Sequence, residues 1–98
     1  MKALRFSPAA QADLETIWDY SAAHWGADQA DCYIDDIRDA CLKVASGEST
    51  GRPVDVRPDY LKIAAGSHRI YARDHGDHLA IIRILHARQD VERNLGND

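Results

Sequence analysis

An α+β fold of order β-α-α-β-β-β is what the sequence predicts, with an antiparallel helix hairpin packed on one face of a small, mainly antiparallel sheet. Three observations carry this. Two long segments with helical apolar spacing adjoin in the first half. Three segments with two-residue alternation, joined by Gly-containing turns, fill residues 60–88. Helices grouped apart from hairpin strands give α+β and not an alternating α/β order.

Residues 2–6 alternate and carry Leu4 and Phe6, which reads as a first strand. Ser7-Pro8 then starts a helix, with Ser at the N-cap and Pro at the first helical position. Leu14, Ile17, Trp18, Ser21 and Trp25 follow at spacings of three and four and make one stripe. Trp18 and Trp25 are therefore expected in the core. Gly26 ends this helix.

A second helix is expected over residues 28–46, with a stripe of Ala30, Tyr33, Ile34, Ile37, Cys41, Val44 and Ala45, and Gly47 as its stop. The break between the two is short enough for an αα-hairpin. Residues 48–59 hold Gly51, Pro53 and Pro58 and read as a loop. Strands follow at 60–64, 67–73 and 78–86, turned at Ala65-Gly66 and at His75-Gly76-Asp77. Asp90 can cap a last helical turn over 91–95. The helix pair covers one sheet face, and the other is expected to be open.

Ninety-eight residues make one domain, 1–98, which buries roughly 60–65% of its unfolded surface. No apolar run approaches the ~20 residues of a membrane span, and the opening residues form no signal peptide. A cytoplasmic protein without membrane contact is expected. Cys32 and Cys41 lie nine residues apart in one helix and point to opposite faces, so they cannot bridge. Free thiols suit a reducing compartment.

The net charge of −4 is unevenly spread: residues 7–48 carry nine acids and two bases, residues 49–98 seven acids and eight bases. Such a chain is a poor non-specific binder of nucleic acid. His75 and His78 flank a Gly turn with no third ligand nearby in sequence, so no metal and no cofactor are expected. No Ser or Cys sits on a nucleophile elbow, so a catalytic triad is unsupported.

The strand segments concentrate the remaining chemistry. Period two places Arg69, Tyr71 and Arg73 on one face. Arg83 interrupts an apolar strand, and it either points to that face, to an outside partner, or forms an ion pair with Asp90 or with an acid from the helices. Lys62, Arg69, Tyr71, Arg73, Arg83 and His86 could supply cations and a proton donor for RNA cleavage. Equally, a cationic face can bind an acidic protein segment. His86, alone at the end of an apolar strand, reads first as a hydrogen-bonded structural residue.

The run from Ile81-Ile82-Arg83-Ile84-Leu85-His86 to Arg88 and Asp90, together with Gly66-Ser67-His68 before the third strand segment, resembles the ParE toxins of the RelE/ParE superfamily. So do Phe6-Ser7-Pro8-Ala9-Ala10, Asp13-Leu14, Ile17-Trp18-Asp19-Tyr20 and Trp25-Gly26. The resemblance spans essentially the whole chain. It implies a type II toxin that inhibits DNA gyrase by binding, without catalytic residues of its own. It further implies a ParD-like antitoxin with a ribbon-helix-helix half, through which alone the toxin reaches operator DNA. On this reading Tyr60, Lys62, Arg69, Tyr71, Arg73 and Arg83 receive the antitoxin tail, and the exposed side of the helix hairpin receives an amphipathic antitoxin helix. His86, Arg88, Asp90, Arg93 and Leu95 carry the target contact. RelE-like relatives instead cut mRNA on the ribosome. Ala87 stands where several of those nucleases carry a catalytic Tyr, and the acidic balance also favours the ParE branch. The nuclease and a non-toxic antitoxin-binding relative remain the alternatives.

Overall fold

The first and last strands of the sheet lie side by side. The computed structural model describes residues 2–54 and 57–89, the side chains of 57 and 58 apart. Its elements are β1 (Ala3–Phe6), α1 (Pro8–Trp25), α2 (Ala27–Ala45), β2 (Arg52–Val54), β3 (Arg57–Ala65), β4 (His68–Asp74) and β5 (His78–His86). The sheet order is β1-β5-β4-β3-β2, with β1 parallel to β5 and the other pairs antiparallel.

Local chemistry sets the helix ends. The Ser7 hydroxyl accepts from Ala10 N at 3.0 Å and donates to Ile82 O at 2.7 Å, so one residue caps α1 and fastens it to β5. Gly26, at φ 96°, closes α1 and opens α2. A conformation in that region suits glycine, so two helices meet across one residue. The expected apolar stripes bury Ala10, Leu14, Ile17 and Ser21 from α1, and Ala30, Ile37, Cys41 and Ala45 from α2. They pack on Ile63, Ile70, Leu79, Ile81 and Ile84 of the sheet. Burial pushes the Cys41 thiol up to about 12, so it behaves as a small apolar side chain.

Three expectations need correction. The predicted loop at 48–59 contains a strand, β2, and the start of β3. Pro53 hides this in the sequence, yet β2 ends the sheet order, and an edge strand tolerates a residue without N–H. Secondly, Trp25 is 64% exposed and not in the core. Ser21 is the last buried residue of the stripe, and Trp25 comes one turn later at the helix end. Trp18 is half-buried, with its indole N–H donating to Asp31 Oδ1 at 2.8 Å.

The third correction concerns the sheet face away from the helices. It is covered at its centre by a second small core of Val54, Tyr60, Tyr71 and Leu85, with Ile82 packed against it. A bulge makes this possible: Tyr71 pairs with Arg83 but Ala72 pairs with Ile81, which leaves Ile82 as the extra residue of β5. Ile81 and Ile84 thus face the helices, while Ile82 and Leu85 face the other side. Strict alternation would have put Ile84 and Leu85 on the wrong faces. The segment expected over 91–95 lies outside the described residues.

Candidate functional site

The chemistry-bearing residues fall into two groups, one on the sheet and one at the α1 end of the helix pair. Cross-strand register builds the first. Arg52, Lys62 and Tyr71 stand side by side on β2, β3 and β4, and Arg69 and Arg73 flank Tyr71 along β4. Arg52, in the strand the sequence hid, was not foreseen as part of this set. Burial of the phenol pushes the Tyr71 pKa up, and the Arg69 guanidinium opposes this. Tyr60 and Tyr71 are only 2% and 3% exposed, so they form a floor and offer little contact area themselves. Large rings bury well against each other, which is why a face predicted to be open is filled.

Two of the cations around that floor, Arg69 and Arg73, have internal partners. Arg69 Nη1 donates to the carbonyls of Gly66 (3.1 Å) and His68 (2.8 Å). Arg73 lies 3.3 Å from Asp59 and 5.6 Å over the Tyr60 ring. Lys62 is exposed. Arg83 is turned elsewhere: its Nε and Nη2 donate to Asp13 of α1 at 2.8 and 3.0 Å, and Ile84 N donates to the same carboxylate at 2.9 Å. Of the options open for Arg83, the ion pair with an acid from the helices is formed; Asp90 lies outside the described residues.

The second group lines a groove of about 580 Å³ between α1, the start of α2 and the end of β5. Ile17, Tyr20 and Trp25 form its apolar wall; Tyr33, His68 and His86 stand at the other end. The Tyr33 hydroxyl holds the β3–β4 turn. It accepts from Ser67 N at 3.0 Å and lies 2.6 Å from His68 Nδ1. The His68 and His86 rings meet edge to face at 5.5 Å. Burial holds the His68 imidazole below its usual pKa, and the neighbouring His86 and Arg69 add to this against Asp13. His86 itself is exposed: its N–H donates to Gln89 Oε1 (2.6 Å) and its Nδ1 accepts from Arg88 N (3.2 Å). Arg88 is exposed in the same turn.

The predicted target-contact residues are therefore only partly placed. His86 and Arg88 are together; Asp90, Arg93 and Leu95 lie outside the described residues. Tyr20, Trp25, Tyr33 and His68 were not foreseen as site residues. The Tyr20-His24-Trp25 spacing was the available signal, but two tryptophans on one apolar stripe read more simply as core. Among the described residues, no group of three or more His, Cys, Asp or Glu side chains could hold a metal ion.

Residues 4–91 match the family model described as the ParE toxin of the type II toxin–antitoxin system parDE. A curated relative named Toxin ParE1 from Mycobacterium tuberculosis is 45% identical over 91 residues, covering 91% of this chain and 93% of the relative. A Toxin ParE1 from Caulobacter vibrioides is 36% identical over 97 residues, covering 98% and 100%. A solved structure of the chromosomal ParDE system from P. aeruginosa superposes with a TM-score of 0.76 at 23% identity, over 88% of this chain and 96% of that one. The RelB–RelE antitoxin–toxin complex of Methanococcus jannaschii gives 0.56 at 15%, over 95% of each chain, and shares the fold.

Proposed function

The chain belongs to the ParE toxin family of type II toxin–antitoxin systems, and on that premise we propose that it acts by binding DNA gyrase and is held inactive by a ParD-like antitoxin. The observation that carries this reading is the nearly full-length match to ParE toxins over residues 4–91. Action by binding, without chemistry, has support from the site. Ala87 follows His86, and the His86 imidazole accepts a backbone N–H at Nδ1. The guanidinium of Arg83, a candidate for charge stabilisation in RNA cleavage, is committed to Asp13. The net charge of −4 also disfavours docking on ribosomal RNA.

Acidic side chains of the antitoxin meet Arg52, Lys62, Arg69 and Arg73 above the Tyr60–Tyr71 floor, and operator DNA is contacted through the antitoxin. Gyrase is met by His86, Arg88 and the residues that follow. Purified protein in a gyrase supercoiling assay, beside an in vitro translation assay, tests the target. Supercoiling should stop while translation continues; translation arrest with cleaved mRNA would assign the protein to the RelE-like nucleases. Removal of residues 93–98 should abolish gyrase inhibition and spare antitoxin capture. Intact inhibition by that variant would remove those residues from the target contact.

A further inference from the structure

His68 and His86 stand directly opposite each other on β4 and β5, and hydrogen bonds fix which nitrogen of each ring carries the proton. The Tyr33 hydroxyl accepts from Ser67 N, so its own proton goes to the nearer of its two acceptors, His68 Nδ1 at 2.6 Å and not Ala65 O at 3.4 Å. His86 Nδ1 accepts from Arg88 N at 3.2 Å. A neutral imidazole that accepts at Nδ1 donates at Nε2. Gln89 is fixed in the same way: its Oε1 accepts from His86 N, which leaves its amide N–H groups to donate. Neither Nε2 atom nor the Gln89 amide nitrogen has a hydrogen-bond partner among the described residues. His68 Nε2 is not buried, and His86 and Gln89 are exposed. All three residues line one end of the 580 Å³ groove.

Donors without acceptors decide the occupant. Asp13, the one carboxylate lining the groove among the described residues, is taken up by Arg83 and Ile84 N. At His68 the field of the Arg69 guanidinium outweighs that of Asp13, and Arg88 lies in the turn after His86. This end of the groove therefore calls for an acceptor of negative charge. Among the described residues no Lys or Arg lines it, which suits one carboxylate better than the phosphates of a nucleic acid. Ile17 and Ile84 line the adjoining space and suit an apolar side chain.

We propose that His68, His86 and Gln89 form a carboxylate site, which receives one Asp or Glu side chain of a partner protein. The carboxylate spans the two imidazoles, whose ring centres are 5.5 Å apart, and accepts from Nε2 of each. An apolar neighbour of that acid fills the space toward Ile17 and Ile84. The site gives His86 a ligand of defined chemistry and does not rest on which target the toxin reaches.

The test uses the full chain and two short peptides that share a leucine pattern and carry glutamate or glutamine at one position. Long-range proton–nitrogen spectra of the imidazole rings at pH 8 should show both histidines protonated at Nε2; an Nδ1–H form of either ring would overturn the proposal. In NMR titrations the glutamate peptide should bind about tenfold tighter than the glutamine peptide and shift both rings. His68→Phe and His86→Ala should each bring the two peptides to within about twofold of each other, with the glutamine peptide unaffected. His86 is exposed, so His86→Ala decides the matter if His68→Phe loses stability. Equal binding of the two peptides would overturn the proposal. So would a glutamate preference that survives His86→Ala, which is attraction to Arg69 and Arg88 alone. A short single-stranded oligonucleotide that displaced the glutamate peptide would assign the site to phosphate and also overturn it. Concentration-dependent self-association lost in His86→Ala would assign it to a second copy of this chain, with the same consequence.

Discussion

Asp13 accepts three hydrogen bonds at once, two from the Arg83 guanidinium and one from Ile84 N. It joins the first turns of α1 to β5 just past the end of β1. Its side chain is 15% exposed and that of Arg83 24%, so the pair is largely desolvated. Asp13→Ala takes the carboxylate from a half-buried cation and the acceptor from a backbone N–H. A loss of about 3 kcal/mol is expected by chemical denaturation. Asp13→Asn should lose less, since an amide oxygen can still accept; equal losses would mean that the charge carries the whole effect and the retained acceptor none of it. His68 sets a pH dependence. Its folded-state pKa lies below the usual 6.5, mainly through burial. As pH falls the unfolded imidazole therefore takes up its proton first. The stability contributed is complete above the unfolded value and is lost as pH falls through the folded one. Melting curves over this range should flatten on the acid side in His68→Gln; an unchanged slope would show that His68 is not the titrating group.

At the scale of elements, both helices were legible because their ends carry specific residues: Ser7-Pro8, Gly26 and Gly47. Strands β4 and β5 were legible from alternation. Strand β2 was not, because Pro53 is a loop signal unless the strand's place at the sheet edge is known. Trp25 was misplaced because a stripe of helical spacing does not say where the neighbouring element ends. The Ile82 bulge is likewise silent in a run of apolar residues. Lys62, Arg69 and Arg73 share a sheet face as alternation implies, and an ion pair of Arg83 with a helix acid was among the options the sequence left open, but nothing in the sequence singled out Asp13. The β3–β4 turn shows how tightly these pieces interlock. Gly66 has φ 57°, and a Cβ there would lie 2.7 Å from Tyr33 Cε1. Gly66→Ala should cost about 1–3 kcal/mol in urea melts and displace the Tyr33 ring from His68. Tyr33→Phe in the same background should not restore stability, because the clash is with the ring.

Over the whole molecule the two layers divide the charge. The helices carry eight of the sixteen acids against two bases, and the strands present Arg52, Lys62, Arg69 and Arg73 on one face. A partner carboxylate must compete with Asp59 for Arg73 and with backbone carbonyls for Arg69. Arg69→Ala and Arg73→Ala are each expected to weaken antitoxin binding by about 1–3 kcal/mol, chiefly through the off-rate. Surface plasmon resonance with the purified antitoxin reads both. Unchanged dissociation constants in the two variants would mean that the antitoxin's acids meet another surface. The order of the sheet has a further bearing on how the protein comes into being. β5 is the last strand synthesised among the described residues, yet it lies between β1 and β4 and receives the carboxylate of Asp13 and the hydroxyl of Ser7. A nascent chain halted before His78 has a first strand with no neighbour in the sheet and a first helix without its hydrogen bonds to β5. Interrupted translation before that point thus releases fragments whose first strand is not joined to the rest of the sheet.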